Sequence, residues 1–121
     1  MGSQQSSSPS QNKPPTFDTE EHKFIFDNVH NNCVTVFSKT SCIHCTNTKK
    51  LFNEIGVPFK AIEINKIESG HKVQKVLADI TKQNTVPRVF VNGECIGGAS
   101  DTRALHQAGQ LLRMIQKCKI K

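Results

Sequence analysis

Cys33-Val-Thr-Val-Phe-Ser-Lys-Thr-Ser-Cys42-Ile-His-Cys45 is the stretch on which the fold turns. Its β-branched opening, residues 33–37, predicts a strand. A short polar loop follows. Beyond Cys42 the apolar residues Leu51, Phe52 and Ile55 recur at helical spacing until Gly56 and Pro58 end the pattern. A Cys-x-x-Cys pair therefore stands where a strand gives way to a helix.

Downstream, Phe59–Ile64 alternates as a second strand, and Val73, Val76, Leu77 and Ile80 fall at i, i+3, i+4, i+7 of a helix. Thr85-Val86-Pro87 leads into a third strand, Arg88–Val91. Asn92-Gly93 is a two-residue hairpin signal answered by Glu94-Cys95-Ile96. Gly97-Gly98 breaks that strand. Leu105, Leu111, Leu112 and Ile115 predict one or two closing helices, interrupted at Gly109. Upstream, Asp18 or Thr19 caps a helix with Glu20 and Glu21 in its first turn, Ile25, Phe26 and Val29 as its buried stripe, and His30-Asn31-Asn32 at its end. The order α-β-α-β-α-β-β-α predicts an α/β domain over residues 18–121, a four-stranded mixed sheet with helices on both faces.

Residues 1–17 are Ser, Gln and Pro with almost nothing apolar, too little to offset ordering entropy, so a disordered tail is expected. Met1-Gly2-Ser3-Gln4-Gln5-Ser6 fits the pattern for N-myristoylation at Gly2, and equally an ordinary polar tail. The tail lacks a signal-peptide core, and Lys13 is its only base, so a cytoplasmic location is expected, with mitochondrion and nucleus as alternatives. No apolar run is long enough for a transmembrane segment. The net charge is +6, gathered partly on Arg103, Arg113, Lys117, Lys119 and Lys121. With no Trp or Tyr to stack on bases and no basic stripe, a nucleic-acid partner is not expected.

The five cysteines, Cys33, Cys42, Cys45, Cys95 and Cys118, cannot all pair within one molecule. Without an export signal they point to thiol chemistry or metal rather than an extracellular staple. A zinc ribbon needs a second Cys-x-x-Cys or paired histidines at suitable spacing, and neither is present. Thiol–disulfide exchange needs one pair at a strand–helix junction, which this sequence has. Cys42 is then the nucleophile, because the helix N-terminus and Lys39 favour its thiolate. Cys45, one turn further in, keeps its proton and resolves. His44 either flanks the opening or acts on the thiols or a metal. Gly97–Thr102 exposes backbone N–H groups before a helix, which suits a carboxylate, or forms a plain capped loop. Alternation along the hairpin makes Cys95 a small buried residue.

Taken together, Phe37-Ser-Lys-Thr-Ser-Cys42-x-x-Cys45, Thr85-Val86-Pro87, Phe90-Val-Asn-Gly93 and Ile96–Thr102 resemble the glutaredoxin family, over residues 32–118. The resemblance implies a thioredoxin fold, a cis peptide at Pro87 and a disulfide between Cys33 and Cys118. It implies glutathione as co-substrate, with Lys39 and Gln74 on its glycine carboxylate, Val86 on its cysteinyl backbone, and Ser100 and Asp101 on its γ-glutamyl end. It implies reduction of glutathionylated and disulfide-containing proteins by a monomer. An alternative is a [2Fe–2S] cluster held between two subunits, with Cys42 as the ligand from each and two glutathiones supplying the rest, acting as sensor or carrier. The departure from the family lies inside the motif. Ile43-His44 stands where the family has Pro-Tyr or Ser-Tyr, so an aromatic wall of the glutathione site is lost.

Overall fold

The computed structural model describes residues 19–119; the expected tail, Gly2 and Asp18 lie outside the described residues. Helix α1 (Glu20–Asn31) is capped by Thr19, whose hydroxyl accepts from the His22 N–H. Strand β1 (Val34–Ser38) leads to α2 (Ile43–Glu54), then β2 (Lys60–Glu63), a 3-10 turn (Ile64–Lys66) and α3 (Gly70–Thr81). The hairpin β3 (Arg88–Val91) and β4 (Glu94–Gly97) follows, then α4 (Ala99–Gln107) and α5 (Leu111–Gln116). Asn92 and Gly93 form the hairpin turn with φ of 57° and 87°, the left-handed pair that a two-residue turn demands.

The sheet order is β2-β1-β3-β4, with β1 parallel to β2 and the other neighbours antiparallel. Every residue of central β1 is buried, so alternation there sorts side chains between two cores rather than between core and water. Phe37 joins Ile25 and Val29 of α1 and Val73 and Leu77 of α3 on one face. Val34 and Val36 join Phe52 of α2 and Leu111 of α5 on the other. A half-buried ion pair, Lys49 Nζ to Glu63 Oε2 at 2.7 Å, ties α2 to the end of β2. Cys33, just before β1, is disulfide-bonded to Cys118, just after α5.

Two sequence expectations are corrected. Phe26 is 41% exposed and lies against the His30 ring, 4.0 Å between centroids, because the buried stripe of α1 runs through His22, Ile25 and Val29 instead. Cys95 is exposed, not buried. It sits on the outer strand β4, whose helix partner α4 covers the opposite face, where Ile96 packs.

Candidate active site

The loop from Lys39 to Cys42 is short and held from both sides. The Cys42 N–H donates to the Lys39 carbonyl at 3.1 Å, closing a turn. Asn65, in the 3-10 turn, accepts from the Thr40 N–H (3.1 Å) and donates to Thr40 Oγ1 (2.8 Å). Cys42 is itself the N-cap of α2: its Sγ accepts the Cys45 N–H at 3.3 Å, and its carbonyl accepts the Thr46 N–H. A thiol in the capping position receives one of the helix's unpaired donors directly.

The two motif cysteines differ in surroundings. Cys42 is half-buried, and its thiol approaches the Val86 carbonyl at 3.8 Å. Cys45 is fully buried. Burial pushes the Cys45 thiol up from its ordinary value, and its hydrogen bond with Cys42 adds to the rise; the Lys39 amide and Ser38 hydroxyl pull the other way without cancelling it. At neutral pH Cys45 therefore holds its proton.

The remaining sequence candidates fall into two groups flanking Cys42. Lys39 and Gln74 line one cleft of about 240 Å³ together with Asn65 and His71. They also line an adjoining one with Lys75 and Asn84, where Gln74 Nε2 donates to Asn84 Oδ1 at 3.3 Å. Val86, Ser100 and Asp101 line a second cleft of about 240 Å³ with His44 and Arg88. The Val86–Pro87 peptide is cis. Asp101 Oδ2 accepts the Gly98 N–H at 3.0 Å, and Thr102 Oγ1 donates to the Gly98 carbonyl. Cys42, bonded to the Lys39 carbonyl on one side and reaching the Val86 carbonyl on the other, bridges the two groups. A third cleft, about 310 Å³, lies at the far end of β1 around Cys33 and Phe59, away from both motif thiols.

Asn65, Asn84 and Arg88 belong to this region and were not singled out from sequence. An Asn in a polar turn carries no pattern, and Arg88 reads simply as the first residue of a strand. Ile43, 64% exposed, and exposed His44 stand at the mouth.

A four-stranded mixed sheet with a Cys-x-x-Cys capping the helix after its central strand defines a thioredoxin-type fold carrying an open dithiol. The sequence profile named Glutaredoxin matches residues 34–96, and the chain belongs to the glutaredoxin family. Among relatives, "Glutaredoxin-2, mitochondrial" of Mus musculus is 46% identical over 97 residues, covering 80% of this chain and 62% of that one. The protein of the same name in Homo sapiens is 46% identical, covering 80% and 59%. This chain thus spans about three-fifths of the length of those relatives, whose names place them in mitochondria, one of the alternatives to the cytoplasm. A glutaredoxin of Vernicia fordii is 45% identical, covering 72% of this chain and 84% of that one. The crystal structure of a buckwheat glutaredoxin–glutathione complex superposes with a TM-score of 0.79 at 36% identity, covering 81% and 89% of the two chains. Oxidised glutaredoxin 2 of Chlamydomonas reinhardtii gives 0.76 at 35%, covering 81% and 92%.

Proposed function

We propose that the protein is a glutathione-dependent thiol–disulfide oxidoreductase acting on protein–glutathione mixed disulfides and on protein disulfides. The observation that carries this reading is the asymmetry of the motif: a half-buried Cys42 at the N-cap of α2 with a buried, protonated Cys45 behind it. Cys42 thiolate attacks the glutathionyl sulfur, the S–S bond to the target breaks, and the target leaves as a thiol after taking up a proton. A second glutathione thiolate then attacks Cys42–SSG, restoring Cys42 and releasing oxidised glutathione. On protein disulfides Cys45 loses its proton and resolves the intermolecular bond, leaving a Cys42–Cys45 disulfide. Lys39 and Gln74 would hold the glycine carboxylate, the Val86 backbone the cysteinyl unit, and Ser100 and Asp101 the γ-glutamyl end. This division is supported by the two clefts flanking Cys42 and by membership of a family with a solved glutathione complex. The test is turnover of a glutathionylated peptide by wild type, Cys42→Ser and Cys45→Ser. Activity in the first and third but not the second is expected, and equal loss in both variants would discard the assignment.

A [2Fe–2S] form is the second reading, and one chain's own donors do not fit it alone. A cluster takes four thiolates or equivalent ligands. Cys42 is the one accessible motif thiol, and no group of three or more Cys, His, Asp or Glu side chains gathers to hold a metal among the described residues. The reading requires a second subunit and two glutathiones. Reconstitution with iron, sulfide and glutathione should then yield a brown dimer that bleaches in the Cys42→Ser variant; a colourless monomer would discard it.

A further inference from the structure

Arg88 is a buried permanent cation without a counter-charge among the described residues. It is 7% exposed, and its Nε donates to the carbonyl of Pro87 at 3.2 Å. That neutral carbonyl is its one hydrogen-bond partner among the described residues, and no carboxylate lies within ion-pair distance of it there. A guanidinium keeps its charge inside a protein, so its burial is unfavourable unless an anion faces it. Arg88 is one of the residues lining the cleft that holds Ser100, Asp101 and the start of α4. Its Nη2 lies so close to Gly98 that a Cβ added there would come within 2.8 Å of it, which makes Gly98 the residue that gives the guanidinium room. Two anion-favouring features, an unpaired buried cation and a helix N-terminus of a nine-residue helix, thus converge on one cleft.

We propose that Arg88 is a ligand-binding residue that receives the α-carboxylate of the γ-glutamyl unit. The proposal rests on the glutathione reading above and extends it to a residue outside the set assigned there. The amino-acid end of glutathione carries a carboxylate and an ammonium on one carbon. Arg88 and Asp101 offer the opposite signs in the same cleft, and the fork of the guanidinium suits a carboxylate. Ligand binding then supplies the counter-charge for Arg88, so the site discriminates against any thiol whose γ-glutamyl carboxylate is missing or neutral.

The experiment compares kcat/KM on a glutathionylated peptide with that on the same peptide carrying the γ-glutamyl α-carboxamide. Wild type should lose about ten- to a hundredfold on the amide, the range of a hydrogen bond to a charged group. Arg88→Met should lose a similar factor on the carboxylate and nothing further on the amide, while Arg88→Lys should recover part of the discrimination. Gly98→Ala, whose new methyl displaces the guanidinium without deleting it, should flatten the preference in the same way and stands in for Arg88→Met should that variant not fold. An Arg88→Met or Gly98→Ala protein that still prefers the carboxylate by the wild-type factor would overturn the inference, since a merely bracing arginine lowers both rates together. A wild type that reduces neither peptide overturns the glutathione reading itself, a result distinct from the first.

Discussion

Two cysteine pairs occupy the two ends of β1, and they could hardly be used more differently. Cys33 and Cys118 lie 85 residues apart and are joined, tying the start of the central strand to the chain after the last helix. Cys42 and Cys45 lie three residues apart and are open, one thiol half-buried and one buried. The chemical groups are identical. What separates them is placement: the first pair has no helix N-terminus behind it, whereas the second has its outer sulfur in the capping position of α2 with a cleft on either side. A thiol becomes reactive through its electrostatic setting and access, and a disulfide becomes structural through the length of chain it closes.

The largest expected effect strikes at the open pair. Cys42→Ser should bring turnover of a glutathionylated peptide to the uncatalysed background, because a hydroxyl does not ionise at neutral pH, whereas Cys33→Ser should leave that rate near wild type. If Cys33→Ser also abolished turnover, the two pairs would not be separable in function. The converse loss is thermodynamic. Opening the Cys33–Cys118 bridge, which closes a loop spanning 85 positions, should lower unfolding stability by about 4.6 kcal/mol in the chain-entropy picture, read from urea midpoints of the Cys33→Ser,Cys118→Ser variant. An unchanged midpoint would show the bridge to be idle.

A smaller effect sharpens the view of how the open pair is held. Asn65→Ala removes both hydrogen bonds to Thr40, costing about 1 kcal/mol at this exposed position, and frees the loop that carries Lys39 and Cys42. KM for the glutathionylated peptide should rise several-fold; a change confined to stability would limit Asn65 to bracing. The smallest effect is in pH. Burial first, and the Cys42 contact second, raise the Cys45 thiol in the folded reduced protein, so the folded state holds that proton more tightly than the unfolded chain. The resulting contribution is complete below the ordinary thiol range, about pH 8.5, and is lost as pH climbs through that value toward the raised one. Reduced wild type should therefore lose stability above that pH more steeply than Cys45→Ala, and parallel profiles would remove Cys45 from the account.

Much of this was legible in the sequence for a definite reason. Strand 33–37, the helix of Leu51 and Phe52, and the 73–80 stripe are periodic, and periodicity is what burial imposes on a chain. The Asn92-Gly93 turn was legible because few residue pairs tolerate its backbone. The exposure of Phe26 is not legible in the sequence because Phe26 borders the apolar stripe of α1, while polar His22 takes the buried place. Cys95 misled because alternation gives a strand's two faces but not whether a helix covers each one at the sheet edge. Asn65 and Arg88 were invisible because their importance arises from contacts across the fold, to Thr40 and to the turn at Gly98, that no local pattern encodes.

The five residues of β1 also act as an insulator. At about 3.3 Å per residue an extended strand of that length separates its ends by roughly 17 Å, many times the reach of a sulfur–sulfur bond. A thiolate at Cys42 thus cannot attack the Cys33–Cys118 bridge of its own molecule while the sheet is intact. Under the proposed thiol–disulfide chemistry, electrons arriving at Cys42 would have no internal short circuit into the staple, and the molecule would cycle without unpicking the bond that holds it closed.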